Sequence, residues 1–528
     1  MRKQLIATIV GIIPMLAFGQ SAIDVYQLSQ QDLKGTARFM SMAGAFGALG
    51  GDLSVLNQNP AGIGVYRGSE IGATLGFDIQ STSTENQGQK YGSTNQFKVS
   101  CNNAGYIGSY RLNSEVMPNI NWGITYNRSA SFNRRYAGGI GKLNTSLSNF
   151  VAGYTNAGGF TEANLMTTEG YDPYNEEPYA PWMSILAFDS YLINPDSEGE
   201  NFQGIYGNGT SGRGEFETIE TGGVNEFNIN WGGNIANKVY WGMGFGITDV
   251  NYNASTYYGE SLTNAYTTDG RGTANWGLSN SLSTSGTGYN FKLGVIVKPI
   301  NEIRLGFAFH TPTYYSLRDV SFTNTRFNYN GGKDGSANTN NDYAAESWYQ
   351  IRTPWKFIAS AATVIANKAI LSFDYEYVGY NTMQLSYDNG ILDPSTNNEI
   401  NSYYKPSNIF RVGGEFRVTS QFSVRAGYSY QTSPVRENVL NGHENVLTVS
   451  TSPSYSFDKS TQYITAGLGY RYKAMYIDAA YVHKTRNSEY HAFPFSPIVY
   501  DGQQMVDSPM AKITDNSNQI VFSLGFKF

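Results

Sequence analysis

The sequence predicts an all-β protein, a transmembrane antiparallel β-barrel of about 14 strands with an N-terminal, mostly helical hatch plugging the lumen. Three observations lead to this fold class. Residues 520–528 carry an apolar side chain at every second position, which lets a strand show one face to lipid and the other to water. The chain opens with a segment of the kind that directs secretion. Finally, the connections between strand-like segments alternate between short and long.

Residues 1–19 are predicted to be a secretory signal peptide. Arg2 and Lys3 precede a mostly apolar run from Leu5 to Phe18, which ends among small residues. The rest of the chain has no second apolar run of the roughly 18 residues that a spanning helix needs, so a membrane crossing must use strands. We therefore expect a multi-pass barrel in the outer membrane of a Gram-negative type cell, surrounded by outer-membrane lipid.

Residues 20–66 are predicted to be the hatch. Leu33, Ala37, Met40 and Gly44 recur at helical spacing in a segment that is rich in apolar residues but does not resemble a strand. A barrel of this size is too wide for its own side chains to fill, so such a segment would plug it and offer apolar surface to a ligand. A purely structural plug is the alternative. The candidate ligand-binding residues of the hatch are Phe39, Met42, Phe46 and Leu56.

Residues 67–528 are predicted to form the barrel. Short turns are expected near residues 113–118, 234–237, 299–301, 365–368, 419–421 and 473–474. Long Gly/Asn/Ser-rich connections are expected near residues 82–94, 135–213, 257–277, 321–342, 388–399, 441–449 and 493–516. Short periplasmic turns that alternate with long outer loops are typical of membrane barrels, and an even strand count closes the sheet without an edge. A barrel of about 12 or 16 strands fits the same pattern.

The two faces of the barrel wall can be assigned from the alternation. Apolar side chains such as Ile71, Phe77 and Tyr289 should face lipid, because Lys or Arg there costs about 2–4 kcal/mol at mid-depth. Charged residues of the opposite phase should face the lumen: Arg304, Asp374, Glu376, Arg411, Glu415, Arg417, Arg425, Arg471 and Asp478. Arg411 and Arg425 are candidates to pair with a ligand carboxylate, although such charges can equally well only stabilise the wall.

Two breaks in the alternation predict irregularities in neighbouring strands. Residues on either side of Asn102 and Asn103 need opposite phases to keep their apolar side chains outward, which indicates a β-bulge. A second break lies between Asn127 and Ser129. Either position is a candidate for a lateral opening of the wall, and an ordinary barrel bulge is the alternative.

Several motifs resemble the long-chain fatty-acid outer-membrane transporter family, the FadL-like channels. The most specific is Asn59-Pro60-Ala61-Gly62 directly before the first strand, preceded by Met42-Ala43-Gly44-Ala45-Phe46. Later motifs such as Thr353-Pro354-Trp355 and Phe410-Arg411-Val412-Gly413 agree in order. The resemblance implies a monomeric barrel that takes up hydrophobic small molecules passively, through binding sites controlled by the hatch, and releases them sideways through the wall. Long-chain fatty acids or aromatic hydrocarbons are the implied ligands.

The chain departs from the family pattern in the connection 135–213, which we expect to be a long extracellular insertion. Other chemistry has little support. The single cysteine, Cys101, excludes an intramolecular disulfide. A net charge of −6 does not indicate the basic surface that nucleic-acid binding needs. We find no paired nucleophile and base, no metal-ligand spacing and no cofactor motif, so we expect neither an enzyme nor a metalloprotein.

Two alternatives from other functional classes stay open. The first is a haem-binding outer-membrane receptor, which would need an axial ligand such as His310, His443 or His491. The second is a structural or adhesive surface barrel, in which the long outer loops carry the structural or adhesive role and the plug is permanent. A porin for polar solutes agrees less well with the sequence, because the hatch would block diffusion.

Overall fold

The computed structural model describes residues 20–92, 95–176, 180–330, 332–441, 446–449, 451–494 and 509–528. The predicted signal peptide, residues 1–19, lies outside the described residues. None of the described helices has the length and apolar character of a transmembrane helix.

Fourteen antiparallel strands close into a barrel, as the sequence predicts. Each strand pairs with its neighbours in the chain, and the last strand pairs with the first from Glu70↔Lys527 to Glu85↔Lys512. The short turns lie where the sequence predicts them. The strands are β1 (Glu70–Asn86), β2 (Gln96–Arg111), β3 (Asn119–Ser131, continued by Arg134–Ile140), β4 (Ser211–Ile235), β5 (Val239–Thr267), β6 (Gly270–Val297), β7 (Ile303–His310, continued by Tyr314–Tyr329), β8 (Ala345–Arg352, continued by Lys356–Ile365), β9 (Ala369–Val378, continued by Gln384–Tyr387), β10 (Ser407–Arg417), β11 (Phe422–Gln431), β12 (Tyr455–Tyr472), β13 (Met475–His491) and β14 (Met510–Lys527).

Helices occur before the first strand and in the connections on the side of the long loops. They are α1 (Ala22–Ser29), α2 (Ala37–Ser41), α3 (Val55–Gln58), α4 (Leu147–Ala157), α5 (Glu162–Leu165), α6 (Trp182–Asp189), α7 (Pro394–Tyr403) and α8 (Glu437–Leu440). Three 3-10 turns are Pro60–Val65, Thr339–Asp342 and Tyr380–Thr382. Short additional strands are Gln89–Gly92, Ile193–Pro195, Phe202–Gly204 and Lys333–Asn338.

The two faces of the barrel follow the predicted alternation in the lower part of the wall. Ile71 is 53% exposed and its neighbour Glu70 is 2% exposed, so the apolar side chain points outward and the carboxylate inward. Of the charged residues assigned to the lumen, Asp374, Glu376, Glu415, Arg425 and Asp478 are buried. Arg417 and Arg471 are exposed instead, because both lie beside short turns where the wall ends.

Above the lipid-facing band the polarity of the wall inverts. In β6, Tyr289 points outward, whereas farther up the strand Trp276 and Leu278 are buried inside and Ser279 is exposed. The predicted loops at 257–277 and 321–342 are therefore wrong in large part. Residues 257–277 mostly continue β5 and β6, which a tight turn joins, and residues 321–342 mostly continue β7 or form the short strand Lys333–Asn338. The strands extend this far because their outer face meets water and their inner face meets an apolar core.

That upper core comes largely from the long insertion. Strand β3 continues to Ile140 and β4 starts at Ser211, so the connection itself is residues 141–210, shorter than the expected 135–213. Apolar side chains of α4 and α6 pack with inward-facing residues of β5, β6, β7, β13 and β14. Since those strands lie on more than one side of the barrel, the insertion packs inside the end of the barrel that carries the long connections.

Candidate functional site

The N-terminal segment, residues 20–66, lies against inward-facing residues of the wall. Phe39, Met42, Phe46 and Leu56 are each at most 7% exposed and belong to one core with residues of β2, β8, β12, β13 and β14. Arg38 forms an ion pair with Glu415 of β10 at 2.9 Å, and Asn121 of β3 donates to the Ile63 carbonyl at 2.6 Å. The segment therefore contacts opposite sides of the lumen.

The residues Asn59-Pro60-Ala61-Gly62 form a tight, buried turn. The Asn59 side chain accepts a hydrogen bond from the Ala61 backbone at 3.1 Å and donates to the Gly47 carbonyl at 2.6 Å. Pro60 opens the 3-10 turn, where its fixed φ and missing N–H are tolerated. One side chain thus holds together two passes of the segment.

Asp374 of β9 is the main anchor of the segment on the wall. It is fully buried, and its Oδ2 accepts the backbone N–H groups of Phe46 at 3.0 Å and Gly47 at 2.9 Å. The Gln58 amide donates to the same oxygen at 3.0 Å and to the Gly44 carbonyl at 2.9 Å. Since buried polar groups need such partners, this carboxylate fixes the path of the segment.

Glycines occupy the positions of the wall that the N-terminal segment approaches most closely. A Cβ on Gly306 would collide with the Gly47 carbonyl, and one on Gly413 would lie 2.6 Å from the Met42 carbonyl. The same applies to Gly242 under Pro60 and Gly294 under Asn59. The glycines on β5, β6, β7, β10, β11 and β12 that contact the segment are Gly242, Gly294, Gly306, Gly413, Gly427 and Gly467. We call this set the glycine floor.

The predicted arginine partners for a ligand already have carboxylate partners. Arg411 pairs with Glu376 at 2.7 Å. Arg425 pairs with Glu415 at 2.7 Å and with Asp478 at 2.6 Å. Together with the packed state of Phe39, Met42, Phe46 and Leu56, this means that a ligand can reach these residues only after the segment shifts.

The predicted breaks in β2 and β3 are both present. Asn102 is skipped in the pairing of β1 with β2, and Ser129 is skipped in the pairing of β3 with β4. Strands β2 and β3 pair with each other only from Arg111↔Asn119 up to Asn103↔Asn127. Beyond that pair, β2 pairs with β1 and β3 with β4, and the upper half of β3 leans inward, where Thr84 of β1 donates to the Ala137 carbonyl at 2.6 Å. We call this interruption the β2–β3 gap.

Asp32 of the N-terminal segment takes the place of a strand at the gap. Its backbone N–H donates to the Ser129 carbonyl at 2.9 Å, and its carboxylate accepts the Ser131 N–H at 3.0 Å. The carboxylate also pairs with Lys484 of β13. Sequence reasoning missed Asp32, because nothing in the local pattern marks a residue whose partners lie about 100 and 450 positions away in the chain.

Comparisons with known proteins agree with this architecture. A family model described as "Outer membrane protein transport protein (OMPP1/FadL/TodX)" matches residues 199–490, more than half of the chain. A crystal structure of a Pseudomonas aeruginosa FadL homologue is similar at a TM-score of 0.51 and 14% identity, covering 94% of this chain and 99% of that one. A deletion mutant of the TodX monoaromatic hydrocarbon channel is similar at a TM-score of 0.53 and 13% identity, covering 94% and 100%. No curated protein matches the sequence significantly.

Proposed function

The chain belongs to the outer membrane protein transport protein family (OMPP1/FadL/TodX), and on this premise we propose that it takes up hydrophobic small molecules passively across the outer membrane. In this proposal the N-terminal segment is the hatch, long-chain fatty acids are the cargo, and a monomer is the working unit. The cargo binds apolar surface uncovered when the hatch shifts, including Phe39, Met42, Phe46 and Leu56.

The β2–β3 gap is the observation that carries the proposal. A closed barrel leaves no unpaired strand edge, so an interruption of the ladder needs a reason. Here the interruption is bordered by Asn102, Asn103, Asn127 and Ser129, and a residue of the hatch bridges it. A shift of the hatch that withdraws Asp32 would connect the lumen with the surrounding lipid.

Lateral exit also suits the chemistry of the cargo. The lower lumen is lined by largely buried ion pairs such as Arg38 with Glu415 and Arg425 with Asp478. An apolar chain forms no favourable interactions with such polar surroundings. Its transfer from lipid to water costs roughly 0.8 kcal/mol of free energy per CH₂. Leaving through the wall therefore avoids both the polar lumen and the aqueous periplasm.

The proposal is tested by uptake of a radiolabelled long-chain fatty acid into Gram-negative cells that lack a transporter of this family. We expect expression of the protein to raise uptake several-fold. Deleting Ser129 removes the extra residue of β3 while keeping the pairing on both sides of it, so β3 can continue along β2. We expect this deletion to abolish most of the gain.

The matched control is deletion of Lys459, the residue skipped where β12 pairs with β13. It removes a bulge that does not border the β2–β3 gap, so uptake should be kept. Absence of any gain with the intact protein would refute the transport function. Equal uptake by the two deletion variants, at comparable surface expression, would refute the lateral route alone.

A further inference from the structure

The upper wall carries a groove on its outward face, along β6 and between the neighbouring strands β5 and β7. One part of the groove has a volume of about 740 Å³ and the other about 420 Å³. Both parts are lined by Ser255 of β5, Ser281 of β6 and Phe322 of β7, so they are continuous. Ligand sites typically have volumes of roughly 300–1,000 Å³, so there is room for a chain of several sugar rings. We call this feature the outer groove.

The floor of the outer groove consists of small residues of β6. Gly277, Ser279 and Ser281 follow one another in the outward row of this strand, and both serines are exposed. The larger side chains of β7, among them Phe322 and Asn324, form one rim. Because the central strand carries only hydrogen or a hydroxymethyl group here, the sheet is concave on a face where larger side chains would fill it. The floor therefore offers hydroxyl groups at the bottom of a groove.

Tyr257 of β5 provides an aromatic surface at the opposite rim. A Cβ on Gly277 would lie 2.6 Å from its ring and one on Gly259 would lie 2.5 Å from its hydroxyl oxygen, so the side chain lies directly over this pair of glycines of β5 and β6. The hydroxyl donates to Glu215 of β4 at 3.2 Å, which fixes the ring. A sugar ring can pack its C–H groups on such an aromatic face, while hydroxyl and amide side chains bond its hydroxyl groups.

The outer groove is almost free of charge. Of the described residues that line it, only Arg326 is charged and none is a carboxylate. A well-solvated protein surface carries about 25–35% charged residues, so this composition is unusual for a face that meets water. Hydroxyl and amide groups take the place of charges, for example those of Asn253, Ser283 and Asn324. Such a surface suits a partner that is rich in hydroxyl groups and carries negative rather than positive charge.

The outer groove lies directly above the lipid-facing band. Tyr289 of β6 stacks on Tyr314 of β7 with ring centroids 5.8 Å apart, and both rings are exposed, as in the aromatic girdle of a membrane barrel. Ser283, at the near end of the groove, belongs to the same outward row as Tyr289 and lies roughly 20 Å farther along the strand. The outer leaflet of an outer membrane consists largely of lipopolysaccharide, whose core sugars occupy this level above the lipid chains.

We propose that the outer groove binds the core oligosaccharide of the lipopolysaccharide next to the barrel. One sugar ring packs on Tyr257, the serine and asparagine side chains of the groove bond sugar hydroxyl groups, and Arg326 pairs with an acidic group of the core. The partner is a lipid of the surrounding membrane and not the transported cargo, so this inference does not depend on the proposed transport function. The extension of β5, β6 and β7 beyond the lipid then serves to hold this lipid against the barrel.

The experiment is a competition between two lipids that differ only in their sugars. Rough lipopolysaccharide, which carries the core and no O-antigen, and lipid A are added in equal amounts to the full protein in detergent. Native mass spectrometry then counts the bound copies of each lipid. We expect the wild type to retain at least fivefold more lipopolysaccharide than lipid A. Tyr257→Ala removes the aromatic surface and Ser281→Glu places a carboxylate on the floor, so each variant should retain the two lipids equally.

Matched variants separate the outer groove from the rest of the wall. Tyr266 of β5 also covers a glycine, Gly207, and is 40% exposed, but it does not line the groove, so Tyr266→Ala should keep the preference for lipopolysaccharide. Ser211→Glu, at the exposed start of β4, should keep it too. Tyr257→Phe retains the ring and should retain most of the preference. The heat-dependent mobility of each variant on gels shows whether its barrel is folded.

Each contrary result overturns the proposal in a different way. If the wild type retains both lipids equally, or Ser281→Glu keeps the wild-type ratio, the outer groove does not bind core sugars. If Tyr266→Ala and Ser211→Glu lose the preference as fully as the groove variants do, the sugars contact the whole upper wall and not this groove. If the groove variants lose binding of a long-chain fatty acid and keep the preference for lipopolysaccharide, the groove belongs to the cargo.

Discussion

The backbone N–H of Asp32 donates to the carbonyl oxygen of Ser129 at 2.9 Å. This bond joins the hatch to the first residue of β3 that is out of register with β4. Because the Asp32 carboxylate also accepts the Ser131 N–H, two backbone groups that a neighbouring strand would normally satisfy are satisfied by the hatch. The β2–β3 gap and the hatch are therefore coupled, because the hatch supplies hydrogen-bond partners to β3 at the gap.

We expect Asp32→Asn to loosen the hatch at the gap. An amide keeps the shape of the side chain but leaves the half-buried Lys484 without its counter-charge, which costs less than the roughly 3–5 kcal/mol of breaking a fully buried pair. Backbone amides of residues 20–41 should exchange with deuterium at least tenfold faster, which hydrogen-exchange mass spectrometry measures. Asp334→Asn, in the exposed strand Lys333–Asn338, is the control. Equal exchange in both variants would contradict the role of Asp32.

We expect Gly306→Ala to displace the hatch from the wall. The new methyl group would occupy the position of the Gly47 carbonyl, and such overpacking costs about 1–3 kcal/mol. Partial release should raise the conductance of the protein for small ions in planar bilayers. Gly153→Ala serves as the control, because a Cβ there meets nothing within 4 Å. A Gly306→Ala barrel with wild-type conductance would show that the floor tolerates a side chain.

We expect the contact between α1 and α7 to weaken at alkaline pH. Burial, followed by the nearby Asp393 and Asp24 carboxylates, raises the pKa of Glu399 in α7 to about 8 from its ordinary 4.5, despite a hydrogen bond from the Ala22 backbone. The protonated form is thus favoured in the folded state. Its contribution is complete below about pH 4.5 and is lost as the pH rises through 8.

Hydrogen exchange of Ala22–Ser29, corrected for the intrinsic rate, measures this dependence. Protection should be higher at pH 5 than at pH 8.5, and Glu399→Gln should remove the difference, since an amide does not titrate in this range. A pH dependence that persists in Glu399→Gln would assign the effect to another group, such as Asp24, whose pKa is also raised by burial.

Haem should not bind through His310 or His491, the two candidate axial ligands that the structure describes. The Nε2 of His310 is occupied by the Gln58 carbonyl, and His491 is stacked on Tyr455 with ring centroids 4.8 Å apart. His443 lies outside the described residues. We expect no shift of the Soret band when haem is added to the purified protein. A shift that disappears in His310→Ala or His491→Ala would restore the haem-receptor alternative.

The lipid-facing part of the barrel was predictable because lipid imposes one rule on every strand. Ile71 and Tyr289 must face outward and Glu70 and Asn290 inward, and the structure has them so. The upper part of β6 obeys the opposite rule. Residues such as Ser279 face water there, so a search for outward apolar residues finds a polar, loop-like stretch where a strand continues.

The site was predictable only where it disturbs the local pattern. Asn102 and Ser129 break the alternation of their own strands, and both breaks could be located in advance. The glycine floor also left a signal, since Gly306 and Gly413 occupy inward phases of their strands. Asp32 left none. Its importance comes from partners that are distant in sequence.

The glycine floor has a consequence for how the protein is assembled. The hatch precedes every strand in the chain, yet part of the floor beneath it is supplied by late strands, at Gly413, Gly427 and Gly467. Helix α2 of the hatch also needs β14, where the Ser523 hydroxyl oxygen accepts the Ala37 N–H at 2.7 Å. The hatch therefore cannot reach its final packing until the last strand is in place, and the barrel must close around a segment that precedes all of its strands.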